Sequence, residues 1–185
     1  MPERNIPRYV ICLTVLFFAA LLAGFLAPIP GKMDLLVKVK ALFEPYAELP
    51  PVKMFLFILF NNSIKTFTVL VLGILFGVLP LIAVATNGYI LGAYLFVFGE
   101  VGYVQAAKVV LPYCAFEIPA VILASAYGLW LGMTFAKRIR RRDMAGFGDQ
   151  VIHGIRMFFK VAFPLFSLAA LIETFLIFSM GGVFR

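Results

Sequence analysis

Residues 54–98 read MFLFILFNNSIKTFTVLVLGILFGVLPLIAVATNGYILGAYLFVF and carry a single formal charge, Lys65. No soluble core needs so long an uncharged run, whereas two bilayer crossings of roughly 20 residues each account for it. The polar residues constrain the fold further. A lysine at the centre of a membrane helix costs about 2.5–3.5 kcal/mol on insertion scales, so it faces protein, water or an opposite charge. Asn61, Asn62 and Lys65 fall within about one helical turn and can share a face. Asn87 follows in the next predicted span.

The rest of the chain is consistent with this start. Of the 185 residues, 63% are hydrophobic and 14% charged, and the mean hydropathy is +1.03. Soluble domains average roughly 45–50% apolar and 25% charged. The expected fold is an all-α, polytopic transmembrane bundle forming one membrane domain over 1–185. A net charge of +7 would suggest nucleic acid in a soluble protein. Here the basic residues cluster between apolar runs, densest in Lys137-Arg138-Ile139-Arg140-Arg141-Arg142, so topology and anionic lipid headgroups near 137–142 explain them without nucleic acid.

In order, spans are expected over about 9–27, 54–79, 81–98, 105–136 and 161–180. Residues 33–48 show helical periodicity with a polar face and are expected to lie at the membrane interface, ended by Pro50-Pro51. Residues 149–160 repeat the pattern. Val151, Ile152, Ile155, Phe158 and Phe159 oppose Gln150, His153, Arg156 and Lys160, with Asp149 as N-cap. Gly77 to Pro80 is the natural break inside 54–98. Thr86-Asn87-Gly88 and Asn61-Asn62 are competing break points, which leaves a broken or re-entrant helix as an alternative. Gly99 to Gly102 reads as an exposed turn, and Pro112 and Pro119 predict a kink. The seven Lys/Arg of 137–160 place that segment, and the N-terminus, in the cytoplasm of a plasma-membrane protein, and the C-terminus outside. Cys12 and Cys114 read as small buried hydrophobes, and no spacing suggests a metal or cofactor.

Three ionisable residues fall inside predicted spans: Lys65, Glu117 and Glu173. Small residues run beside them. Gly73 and Gly77 continue the Lys65 track, Gly128 and Gly132 follow Glu117, and Gly88 and Gly92 repeat the spacing in the third span. Glycines four apart let helix backbones approach closely, within one chain or between copies in a homo-oligomer. The expectation is an inward polar site of Asn61, Asn62, Lys65, Asn87, Glu117 and Glu173, with Lys65 paired to one glutamate. It serves either as a clamp fixing helix register or as an ion or ligand route.

The same residues carry a resemblance. Asn61-Asn62, Gly73 with Gly77, Asn87-Gly88 with Gly92, Leu111-Pro112, Glu117, Gly128-Leu129 and Ile172-Glu173 occur in the order and spacing of the stage II sporulation protein M family. The likeness covers roughly 50–180. One departure stands out: the family's proline at 112 is commonly followed by His-Gly, where this chain has Tyr113-Cys114. The resemblance implies a multi-pass plasma-membrane protein. Founding members act in engulfment during spore formation as a membrane anchor for peptidoglycan-degrading partners.

Two function classes follow. One is a scaffold that organises envelope or membrane proteins; the other is a small transporter or channel-like protein using the Lys/Glu/Asn site. An enzyme is not expected, because HExxH, GxSxG and P-loop patterns are missing from the sequence, as is a nucleophilic cysteine with a histidine partner.

Overall fold

The computed structural model describes residues 5–26 and 49–179, with side chains throughout except at 98–107 and 109. Its helices are α1 (Ile6–Leu26), α2 (Pro51–Leu72), α3 (Val78–Arg141), α4 (Phe147–Met157) and α5 (Phe163–Ser179), and a π-helical segment, Phe158–Ala162, joins the last two. The described residues include no strand. Five stretches are long and apolar enough to cross a bilayer: Ile6–Leu26, Pro51–Leu72, Val78–Val97, Val110–Arg141 and Phe147–Ser179. The all-α, five-span architecture is therefore as the sequence implies. The amphipathic helix expected over 33–48 lies outside the described residues.

The break within 54–98 is sharp and falls at one end of the expected window. α2 closes at Leu72, and the turn that follows places Phe76 at φ 59° and Gly77 at φ 74°. This left-handed conformation suits glycine and costs other residues roughly 1–2 kcal/mol. Pro80 then sits in the first turn of α3, where its missing N–H has no partner to lose. Neither Asn61-Asn62 nor Thr86-Asn87-Gly88 interrupts a helix, so both spans are unbroken. Pro50-Pro51 acts at the start of α2, with proline at its first position, where fixed φ favours helix entry.

α3 would be roughly 96 Å long if straight, at 1.5 Å per residue. It is not straight. Gly77 lies against Leu129, Pro80 against Gly128, and Tyr94 shares a cavity with Tyr113 and Cys114. Rising numbers on the first arm meet falling numbers on the second, so 78–97 and 110–141 run antiparallel. The chain reverses between Val97 and Val110 while the backbone stays helical, in place of the expected Gly99–Gly102 turn. Pro112 and Pro119 lie inside the second arm without ending it.

That second arm is the axis of the bundle. In its most apolar window 67% of residues are buried, against 17–28% for the other four spans. α2, α5 and the first arm pack around it through Leu70, Val84, Ala120, Ala124, Leu131, Phe158, Phe166 and Ala170. α1 lies along the first arm, with the Phe25 and Phe96 rings edge-to-face at 6.1 Å. The outer faces are apolar too. Ile11, Val15, Phe18 and Leu22 on α1, and Phe60 and Ile64 on α2, are each more than half exposed. Water would penalise such faces; lipid does not.

The interfacial helix expected over 149–160 differs in two ways. It is continuous with the last span, because the Phe163 N–H donates to the Phe158 carbonyl, a five-residue closure that makes the π segment. Pro164 favours this widening, since it offers no N–H to the Lys160 carbonyl. Its inward face also differs from the apolar stripe. Gly154 and Phe158 are buried, with Gly154 against Leu131, whereas Ile152 and Phe159 are 56% and 55% exposed. His153, expected on the polar face, turns its ring toward Tyr127 at 5.8 Å and Trp130 at 6.4 Å between centroids. Gly146 at φ 70° caps α4, and Asp149 sits inside the first turn, where its charge complements the helix dipole. Cys12 is exposed, contrary to expectation, while Cys114 is buried.

Candidate functional site

The two halves of the bundle are built differently. At the end that carries Lys137 to Arg142, the helices meet backbone to backbone. A Cβ at Gly73 would stand 2.7 Å from the Gly128 backbone, and one at Gly132 would overlap the Gly73 carbonyl oxygen and the Gly77 nitrogen. A side chain at Gly73 or Gly132 would collide with backbone. On the first arm, a Cβ at Gly88 would run into the Phe17 carbonyl of α1, and one at Gly92 into that of Leu21. All six glycines thus lie at contacts within this chain.

Toward the opposite end the packing loosens around polar groups. A half-open cavity of about 180 Å³ lies between α1 and the two arms of α3, lined by Phe17, Asn87, Ile90, Leu91, Tyr94, Tyr113, Cys114, Glu117, Ile118 and Val121. Phe17, Cys114 and Val121 are buried and make its floor; Asn87 and Ile90 are exposed and stand at its mouth. The helical repeat explains the grouping. Tyr113, Glu117 and Val121 are four apart on one arm, and Asn87, Leu91 and Tyr94 are four and three apart on the other, so each set shares a face.

Within this cavity, Glu117 is half-buried, and the Asn87 side-chain N–H₂ donates to the Ala83 carbonyl at 2.8 Å. The Asn87 carbonyl oxygen is then the end of the amide left for other partners. Glu173, half-buried on α5, acts electrostatically on both Glu117 and Tyr113. Lys65 acts on Glu117 from the α2 side but is itself exposed. Among the described residues no carboxylate oxygen lies within 4.0 Å of its ammonium. The expected closed pair is replaced by a longer-range interaction.

Asn61 and Asn62 stand apart from the cavity. The Asn61 side-chain N–H₂ donates to Asn62 Oδ1 at 3.4 Å, and Asn61 borders an open groove on the outer face of α2 with Lys53, Leu56 and Phe60. The structure therefore joins Asn87 and Glu117 in one cavity, sets Glu173 and Lys65 within electrostatic reach, and leaves the asparagine pair elsewhere. Tyr94, Tyr113 and Cys114 are the lining residues that sequence reasoning missed. The available signal was periodicity: Tyr113 is one turn before Glu117, and Tyr94 is seven residues after Asn87. Among the described residues, no three of His, Cys, Asp or Glu gather closely enough to hold a metal ion.

At the basic end the α3 terminus is held by its own charge. Arg138 donates to the Asp143 carbonyl at 3.4 Å and to the Ala145 carbonyl, while Asp143 Oδ1 accepts from the Ala145 N–H at 3.0 Å. Lys137, Arg140, Arg141 and Arg142 remain beside it as a basic rim.

Residues 13–176 match the sequence model of the family described as Stage II sporulation protein M. No curated protein matches the chain, and no solved structure does. The match spans most of the chain, which belongs to this family of membrane proteins.

Proposed function

We propose that this protein is a multi-pass scaffold that anchors and organises other membrane or envelope proteins. The observation that carries the reading is the unequal bundle. A transport route needs a polar lining that reaches both membrane faces, and the lining of this cavity ends at Phe17, Asn87 and Val121. Beyond them the glycine contacts bring backbones together. A closed, rigid half with a lateral polar opening suits docking better than conduction.

The orientation proposed with it puts the basic rim and α4 on the cytoplasmic side of the plasma membrane, against anionic headgroups, and the cavity toward the outer leaflet. Exposed Ile152 and Phe159 beside Arg156 and Lys160 suit that interface, since they pair apolar insertion with positive charge. No chemistry is assigned to the cavity, and the protein is read as non-enzymatic.

The test places a photo-crosslinking residue at exposed positions around the bundle in living cells: Ile11, Phe60, Ile90 and Phe175. A scaffold gives discrete adducts at some positions and none at their neighbours. The purified protein in sealed vesicles should pass no ions or small solutes above the rate of empty vesicles. Flux that disappears in Glu117→Gln would replace this reading with the transporter alternative.

A further inference from the structure

Two outer faces of the bundle share a residue interval and differ in chemistry. On α1, Ile11, Val15, Phe18 and Leu22 recur at steps of four, three and four, and all are exposed and apolar. Lipid satisfies such a stripe. On α2 the same steps give Phe57, Asn61, Ile64 and Thr68. Ile64 and Thr68 are exposed and Phe57 and Asn61 half-buried. Asn61 lines the open outer groove together with Lys53, Leu56, Phe57, Phe60 and Ile64.

Asn61 is the residue of this face that lipid cannot satisfy. It is the eleventh of the 22 residues of α2. Ten steps of 1.5 Å set it roughly 15 Å from Pro51, at the middle of a hydrocarbon layer about 30 Å thick. Its amide offers two N–H donors and a carbonyl oxygen. One N–H reaches Asn62 Oδ1 at 3.4 Å, beyond the roughly 2.7–3.2 Å of a good hydrogen bond. Among the described residues, nothing donates to the Asn61 oxygen. Asn87, which is exposed, differs, because it bonds the Ala83 carbonyl of its own helix at 2.8 Å. An unsatisfied amide at this depth is costly, and a second amide across a helix contact removes the cost.

We propose that this face of α2 pairs with the same face of a second copy, in a dimer whose two-fold axis is normal to the membrane. Copies inserted in one orientation carry parallel α2 helices, and the axis sets each residue of the seam opposite itself. An amide is self-complementary: each Asn61 donates its second N–H to Oδ1 of the other and accepts one in return. Alternating steps of four and three are those of knobs-into-holes packing, where a lone asparagine in the seam fixes register and the number of helices. Lys65 does not oppose its counterpart. It follows Ile64 at the edge of the seam, where a parallel pair sets it against Phe60 of the other copy, and a ring face suits an ammonium. A partner helix bearing a carboxylate fits less well, since Lys65 already has Glu117 as counter-charge. The pairing does not depend on the scaffold reading, and it gives a scaffold two identical docking faces.

The test uses the full chain with Cys12→Ser and Cys114→Ala, which removes both native thiols. In cell membranes oxidised with copper–phenanthroline, Ile64→Cys in that background should give a disulfide-linked dimer as the main product. Val15→Cys and Leu168→Cys, exposed on α1 and α5, should give less than about a tenth as much. Copies carrying donor or acceptor fluorophores on an amino-terminal tag are then mixed in phosphatidylcholine vesicles, and energy transfer is followed as lipid is added. Asn61→Val should raise the dissociation constant at least tenfold while emission of Trp130, the single tryptophan, stays native. Asn61→Gln, which keeps an amide, should recover most of the loss, and Leu168→Ala should change the constant less than about twofold. Energy transfer no higher than that of randomly mixed labels overturns the proposal. So does an affinity unchanged in Asn61→Val, or crosslinking as strong at Val15→Cys as at Ile64→Cys. A cellular photo-adduct of Phe60 with another protein, or with residues 27–48 of the same chain, in place of one with a second copy, overturns it in favour of that occupant. Adducts at Ile11, Ile90 and Phe175 decide the scaffold reading separately.

Discussion

The basic half of the bundle and the half that holds Glu117 use the same central helix for opposite ends. In the basic half, Gly73, Gly77, Gly128 and Gly132 remove side chains so that backbones touch. In the other half, Tyr94, Tyr113, Cys114 and Glu117 hold the two arms apart around a cavity. In lipid there is little hydrophobic gain from helix association, so close van der Waals packing has to carry stability. The contrast teaches that close packing around the central helix is concentrated at one end, while in the polar half it is the contact of α1 with the first arm, at Gly88 and Gly92, that holds the cavity wall.

The strongest way to break this contrast is to put a side chain into the sealed half. Gly132→Leu meets the backbone of the turn between α2 and α3 at Gly73 and Gly77 and should destabilise the protein by ~3 kcal/mol or more, seen as loss of monodisperse protein on heating in detergent. Gly92→Val should cost about 1–3 kcal/mol by pushing α1 from the first arm, with limited proteolysis releasing α1 while Trp130 emission stays native. The effect on the polar half should be smaller. Lys65→Met and Glu117→Gln should each cost about 1 kcal/mol, and the double variant should show a coupling of about 1 kcal/mol at most. A dry, touching pair would give roughly 3–5 kcal/mol for either single change, so a double-mutant cycle on thermal unfolding measures how open this half is. Leu168→Ala, on a lipid-facing surface, should stay within about 0.5 kcal/mol, and a larger shift would reveal a hidden contact there.

Much of the fold was legible in the chain because lipid imposes a length rule. Runs of apolar residues near 20 long gave five spans, and the Gly77–Pro80 signal located the hairpin between α2 and α3. The interfacial segment was harder to read. Hydrophobicity put Ile152 and Phe159 on one face with Val151, Ile155 and Phe158, but near a bilayer apolar residues have two places to go, and small Gly154 takes the close contact with Leu131. His153 went the other way, because its ring stacks well on Tyr127 and Trp130. For the site, periodicity tied Lys65 to the Gly73 and Gly77 track, yet those glycines are buried and Lys65 is exposed. The meeting of Asn87 with Glu117 depended on the antiparallel register of two arms 30 residues apart in sequence, which local pattern does not encode.

The π segment at Phe158–Ala162 has a consequence for how such a rod changes over time. One surplus residue turns everything beyond it by about 100° relative to an unbroken α-helix. Gly154 before it and Ala169 and Ala170 after it all face the centre, so the two stretches are phased independently and the surplus residue is the adjustment between them. Removing a single residue there would leave α4 docked while swinging Glu173 away from Glu117. A one-codon deletion in this segment would thus retune the charge balance of the cavity without touching a residue that lines it.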